Sequence, residues 1–268
     1  MDVNQSIVAS LEQVGVDHVF GGSGQVNASM LLALKGSEKI RTVIVRNEQA
    51  ASFMACGYSM FSDKLGVCFA TGGPGAFNLF SELAVAYYDS LPVLAISGYT
   101  SKPDCGKGAL NDSTGLNRTP DSNAMFSSKT KKSFILEDPA ETCNVLEEAI
   151  NIAFEGRPGP VHIHIPKDVA TANVADFRKI RIDTKPVLPD EHELEVLAGV
   201  LEKGLAENRN LLATTMDAKG VLPEDHKLSL GVFGTSGGPG ALDYFNAAEI
   251  VLPLGNSFAQ NATNRIHG

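Results

Sequence analysis

The chain has 268 residues, 43% hydrophobic and 20% charged, an ordinary globular composition that predicts one large or two modest domains with a real core. A net charge of -9, with no basic run denser than "KTKK" at residues 129–132, argues against a nucleic-acid partner. The four cysteines, Cys56, Cys68, Cys105 and Cys143, lack CxxC spacing, which argues against a zinc knuckle or a disulfide framework and for a reducing, cytoplasmic setting; the polar N-terminus and the absence of a long apolar run argue against a membrane.

Ile7, Leu11 and Val14 mark one face of an opening helix that Gly15 ends, and "HVFGGSG" follows as a short strand running into a glycine turn. The alternation continues with a helix over 28–36, a strand over 40–46, a helix over 48–61, a strand over 65–73, a helix over 76–90 and a strand over 91–98. Residues 99–123 are polar and rich in Gly, Pro and Asn, a long loop of the functional or mobile kind. A helix over 139–156 and the strand "PVHIHIP" close the domain. Continuous apolar strands between amphipathic helices predict an α/β fold: a parallel sheet with helices on both faces. This domain is expected over residues 1–170, a linker over 171–189, and a second α/β unit over 190–268 that opens on a helix at 191–207. The strands and turns expected within 210–220, 228–245 and 248–257 make that unit small for a complete doubly wound domain.

Three turns share one edge of the predicted sheet: "GGSGQVN" after the first strand, "RNEQAA" after the second and "TGGPGAFN" after the third. Ligands bind at that edge in open parallel sheets. Glu48 arrives there with apolar residues below it and small alanines above. Its structural alternative is plain, because Asn47 can cap the helix and Glu48 can complement the helix dipole. The sequence Gly-Gly-Pro-Gly-Ala occurs twice, at 72–76 and 237–241, each a turn that exposes backbone and then starts a helix. His162 and His164 share a strand face at a spacing that could ligate a metal, but no Cys, Asp or Glu cluster completes the set, so no metal site is assigned. Gly22 and Gly24 begin a dinucleotide-like G-x-G that Asn27 breaks at the third glycine; an NAD-binding oxidoreductase would have to use Glu48 on the ribose.

The blocks "GVDHVFGGSG", "RNEQAASFMACGYS", "TGGPGAFNLFSELAVAYYDSLPVLAISG" and "GRPGPVHIHIPKDV" resemble, in order, the pyrimidine-binding domain of thiamine-diphosphate enzymes of the acetolactate synthase, oxalyl-CoA decarboxylase and 2-hydroxyacyl-CoA lyase group. The resemblance covers most of the chain, with residues 190–268 corresponding to part of the family's central domain. It implies that Glu48 hydrogen-bonds the aminopyrimidine of thiamine diphosphate and promotes removal of the thiazolium proton. Ser23, Gly24, Thr71, Pro74 and Asn78 are the implied cofactor contacts. Ser23 stands where many relatives have proline, and Arg118 and Thr119 lie where the family often places a phenylalanine and a glutamine near the second substrate, so those roles do not carry over.

The implied activity is decarboxylation and carboligation of a 2-oxo acid, most like acetolactate synthase, with a 2-hydroxyacyl-CoA lyase or another decarboxylase as alternative. In some members the central domain holds FAD or ADP. The family holds Mg2+ in a diphosphate-binding domain and shares each active site between subunits of a homodimer or tetramer. That domain has no counterpart in these residues, so the chain alone is expected to be inactive; a non-catalytic dimerising remnant is the alternative from a different class.

Overall fold

A computed structural model describes residues 1–24, 27–183, 190–206, 211–235, 237–249 and 251–255. The chain divides into two compact units, Met1–Val187 and Leu188–Gly268. The first alternates helix and strand: α1 (Val3–Gln13), β1 (His18–Gly21), α2 (Ala28–Lys35), β2 (Arg41–Ile44), α3 (Glu48–Ser62), β3 (Gly66–Ala70), α4 (Pro74–Tyr88), β4 (Val93–Tyr99), α5 (Ser122–Ser127), β5 (Lys132–Ile135), α6 (Thr142–Phe154), β6 (Val161–Pro166) and α7 (Lys167–Ala170). Local chemistry sets the helix starts. Asp2 and Gln5 form a reciprocal capping box on α1, Asn47 accepts the Gln49 N–H at 2.8 Å to cap α3, and Pro74 occupies the first turn of α4, where its missing N–H costs nothing.

All six strands of this unit are parallel, in the order β2-β1-β3-β4-β6-β5. The parallel sheet with helices around it is the architecture the sequence predicts. Every residue of β3, β4 and β6 is buried, and alternate side chains feed two cores. Val67, Phe69, Leu94 and Ile163 join Leu11 and Leu146 on the side of α1 and α6. Cys68, Ala70 and Ala95 join Ala51, Ala55 and Leu83 on the side of α3 and α4. Small residues let that second pair of helices approach closely: a Cβ on Gly66 would stand 2.2 Å from the carbonyl oxygen of Ala55.

β5 and α5 are additions to the predicted element set. "KSFI" is a four-residue edge strand beginning on an exposed lysine, too short and too polar to announce itself by periodicity, and α5 is six residues capped by Asp121. The segment following α7 carries Val174 and Ile180 into the core beside α1 and α6; residues 184–189 of the expected linker lie outside the described residues. The second unit comprises α8 (Glu191–Ala206), β7 (Leu212–Thr214), β8 (Ser229–Val232) and α9 (Pro239–Ala247), with β7 and β8 parallel and Phe233 stacked on Phe245 at 4.6 Å. Residues 248–249 and 251–255 of the expected last segment form no strand, and 250 and 256–257 lie outside the described residues.

β6 turns His162 and His164 toward the α3, α4 and α5 side, where both are fully buried. Each ring nitrogen meets a serine hydroxyl: His162 meets Ser133 at 2.9 Å and Ser97 at 3.0 Å, and His164 meets Ser97 at 2.8 Å and Ser122 at 3.1 Å. Burial, and then the neighbouring His164, pushes His162 well below the ordinary imidazole range, and burial pushes His164 down to about 3. The fold therefore holds both rings neutral while the unfolded chain protonates them near pH 6.5. The unfolded state binds more protons across that interval, so stability is lost as pH falls from 6.5 toward 3, with a slope of up to about 1.4 kcal/mol per pH unit for each ring. The thermal midpoint is expected to drop as pH is lowered from about 7 to about 5, where most carboxylates stay ionised. A double variant, His162→Gln with His164→Gln, should melt lower at neutral pH but with a shallower pH slope; equal slopes would contradict neutral burial.

Candidate functional site

From β1 the chain steps out to β2 on one side and then returns to lay β3 on the other. At such a reversal the two crossovers diverge and leave a crevice at the carboxyl ends of the strands. Ser23 and Gly24 follow β1 into this crevice, Glu48 opens α3 after β2, and Thr71, Pro74 and Asn78 follow β3 into the start of the second turn of α4.

Asn78 Nδ2 donates to Glu48 Oε2 at 2.9 Å, joining the first turn of α3 to the start of the second turn of α4. The partial positive charge at both helix starts favours a carboxylate there. Glu48 Oε1 lies 3.1 Å from where a Cβ on Gly75 would stand and 3.7 Å from the same point on Gly22. Thr71 is held as closely. A Cβ on Gly24 would be 2.4 Å from Thr71 Cβ, and one on Gly75 would be 2.6 Å from Thr71 Cγ2. Close approach, rather than turn conformation, demands these glycines; Gly73, with φ +60° at the start of α4, is the one that needs conformational freedom.

The structure thus brings Glu48, Asn78, Thr71 and Gly24 together around Gly75. Ser23 and Pro74 are exposed on the same edge, while Glu48, Gly24 and Thr71 are half-buried. The capping role and the site role of "NE" coexist, because the Asn47 side chain is engaged by the Gln49 N–H whereas the Glu48 carboxylate faces the Gly-Pro-Gly turn. Asn27, at the broken third position of the G-x-G pattern, is buried and donates to the Gly22 carbonyl at 2.9 Å.

Asn111 belongs to this neighbourhood and was not legible in the sequence. Its backbone is left-handed, with φ 63°, and its Cα, Cβ and carbonyl oxygen all stand 3.0 Å from the position of a Cβ on Gly73. The polar segment after β4 therefore forms a wall of the glycine turn; the clustering of Gly and Asn in that segment is the signal that could have suggested it. Arg118 and Thr119 sit elsewhere on that segment, on a tight turn where Arg118 has φ 65° and the Thr119 hydroxyl donates to the Leu116 carbonyl at 2.7 Å.

The two Gly-Gly-Pro-Gly-Ala turns differ in what surrounds them. Cβ atoms on Gly238 and Gly240 would meet nothing within 4 Å, and Gly238 has φ -71°, open to any residue. Gly73 and Gly75 are hemmed in. Gly75→Ala should therefore cost about 1–3 kcal/mol through overpacking, against a helix-propensity gain of about 1 kcal/mol. Thr71→Ser removes the methyl that the new Cβ meets, so the double variant should recover part of that loss in urea unfolding. Strictly additive effects would contradict the contact.

Among the described residues, no group of three or more His, Cys, Asp or Glu is arranged to hold a metal, and no helix is long and apolar enough to cross a membrane. Residues 1–119 match the family described as thiamine pyrophosphate enzyme, N-terminal TPP binding domain. The chain is 32% identical over 289 residues to an acetolactate synthase large subunit of Mycobacterium tuberculosis, a match covering 98% of this chain and 46% of that protein. It is 32% identical over 293 residues to a probable acetolactate synthase large subunit of Methanocaldococcus jannaschii, covering 98% and 48%, and 29% identical over 293 residues to the acetolactate synthase large subunit of Porphyra purpurea, covering 97% and 48%. The chain spans about half the length of the curated relatives it matches. With a parallel sheet whose reversal point gathers the matched turns, residues 1–119 belong to the N-terminal domain family of the thiamine pyrophosphate enzymes, in a chain similar over nearly all its length to part of acetolactate synthase large subunits.

Proposed function

We propose that the protein is a thiamine-diphosphate-dependent enzyme that decarboxylates a 2-oxo acid and joins the product to a second carbonyl compound, as an acetolactate synthase does, with Glu48 as its catalytic carboxylate. The observation that carries this reading is the placement of Glu48. It is a half-buried acid at the sheet reversal, held on one oxygen by Asn78 and set with the other between Gly22 and Gly75.

The aminopyrimidine of the cofactor fits such a site, because a flat nitrogen ring can approach Oε1 without meeting a side chain from either glycine. When bound, the cofactor supplies a carbon acid that, once deprotonated, adds to the 2-oxo acid and accepts the electrons left by departing carbon dioxide. Glu48 is the group that holds a proton at Oε1 or releases it to a ring nitrogen. Asn78 fixes the orientation of the carboxylate through Oε2. Ser23, Gly24, Thr71 and Pro74 complete the edge against which the ring lies. In this proposal Mg2+ pairs with the cofactor's diphosphate on the family's diphosphate-binding domain.

The proposed assembly is a homodimer or tetramer with the site shared between subunits. α3 and α4 leave Phe53, Met54, Phe61, Val85 and Tyr88 exposed, Phe61 by 88%, on the same two helices that carry Glu48 and Asn78. Exposed apolar surface of this kind marks an interaction face.

In the protein at its natural length, Glu48→Gln is expected to lower turnover of a 2-oxo acid by about 10²- to 10⁴-fold while leaving the circular dichroism spectrum unchanged. Turnover within a few-fold of the parent would remove Glu48 from the chemistry.

A further inference from the structure

The face of β4, β6 and β5 turned toward α5 carries a row of alternating hydroxyls and imidazoles. Strand register builds most of it, since Ser133 pairs with His162 and Ser97 pairs with His164. Ser122, the first residue of α5, extends the row. Its Oγ lies 3.1 Å from His164 Nε2, 3.0 Å from the Ser113 carbonyl oxygen and 3.0 Å from Ser113 Oγ. Ser97, Ser113, Ser122, His162 and His164 are all at most 1% exposed, so water does not compete for these bonds.

Counting protons orders the row. A neutral imidazole has one donor and one acceptor, a serine hydroxyl has one proton to give, and a carbonyl can only accept. One assignment supplies a proton to all six contacts. Ser133 donates to His162 Nδ1, His162 Nε2 to Ser97, Ser97 to His164 Nδ1, His164 Nε2 to Ser122, Ser122 to the Ser113 carbonyl, and Ser113 Oγ to Ser122. The reverse direction leaves the 3.0 Å contact between Ser122 Oγ and the Ser113 carbonyl without one. Both histidines are then Nε2–H tautomers.

Two members of this row, Ser97 and Ser113, lie beside the segments that flank the glycine turn of the candidate site. Ser97 immediately precedes Gly98, whose carbonyl oxygen lies 3.0 Å from the position of a Cβ on Gly72. Ser113 lies two residues beyond Asn111, whose backbone lies 3.0 Å from the corresponding position on Gly73. Gly72 and Gly73 are therefore gripped between two walls, one from the end of β4 and one from the polar segment after it. His164 connects the two walls through Ser97 and Ser122. Gly73 in turn starts α4, which presents Asn78 to Glu48.

We propose that His164 is a positioning residue: through a proton-ordered Ser133-His162-Ser97-His164-Ser122-Ser113 chain it holds the segment after β4 against Gly72 and Gly73, and so sets the first turn of α4. Its link to catalysis rests on the functional reading above. The tie itself does not.

Nitrogen-15 NMR of the parent protein, labelled at histidine, tests the proton order directly. Two Nε2–H tautomers are expected, and an Nδ1–H tautomer at either ring would overturn the ordering. Amide hydrogen exchange over residues 111–115, measured without cofactor, tests the tie. Ser122→Ala, which removes the hydroxyl's bonds to His164 and Ser113 but leaves the backbone bond from the Ser122 N–H to the Ser113 carbonyl, and His164→Phe, which keeps a ring but removes both of its bonds, should each raise exchange there by roughly tenfold. His164→Gln, which keeps an amide donor for Ser122, should restore part of the protection. Unchanged exchange in folded Ser122→Ala protein would overturn the proposal. In the protein at natural length, the same variants should raise the KM for thiamine diphosphate more than they lower kcat. Faster exchange together with no thiamine diphosphate binding by the parent protein would leave the tie standing and remove the cofactor reading instead.

Discussion

The hydrogen bond from Asn78 to Glu48 depends on two helices beginning within reach of each other, and almost everything else in the first unit serves that condition. α3 and α4 start from β2 and β3, the strands that flank β1 at the reversal point, and both lie on a sheet face lined with alanine and cysteine. Larger side chains there would lift the helices and separate their first turns. A charge-assisted bond of this kind contributes about 1.5–3 kcal/mol at most, far less than the packing that positions it. The carboxylate is placed by the core, and the bond to Asn78 then fixes its orientation.

The repeated Gly-Gly-Pro-Gly-Ala shows why a motif alone decides little. The same five residues make a crowded turn in the first unit and an open one in the second. Around Gly72, Gly73 and Gly75 stand the Gly98 carbonyl, Asn111, Thr71 and Glu48, each 2.6–3.1 Å from where a Cβ would be, so that a side chain would force a neighbour to shift. Around Gly238 and Gly240 there is open space, and Gly237 alone is confined, by the Val232 carbonyl oxygen at 2.3 Å from its missing Cβ. The difference in crowding lies in the neighbours, which the fold brings together from separate segments.

The sheet and its helices were legible because β3, β4 and β6 are buried on both faces and so read as continuous apolar runs between amphipathic helices. The edge strand β5 was not, since half-exposed edge strands carry polar residues that resemble loop. Glu48 could be named from three turns predicted to share one edge, and Asn78 and Thr71 from the family resemblance that those turns carry. Asn111 could not be named, because its role comes from backbone packing in a left-handed conformation rather than from side-chain chemistry. The histidines of "VHIHIP" were visible as a pair at strand spacing, but their partners Ser97, Ser122 and Ser133 come from three other elements and leave no mark in the local sequence.

The central claim is that the crevice between β1 and β3 receives the pyrimidine end of thiamine diphosphate. Calorimetric titration of the natural-length protein with thiamine diphosphate, with and without Mg2+, tests it most directly, run beside Asn78→Ala. Saturable, Mg2+-dependent binding that weakens by about tenfold in the variant is the predicted result. Absence of binding by the parent protein, or equal affinity in both proteins, would contradict the placement of the cofactor at this crevice.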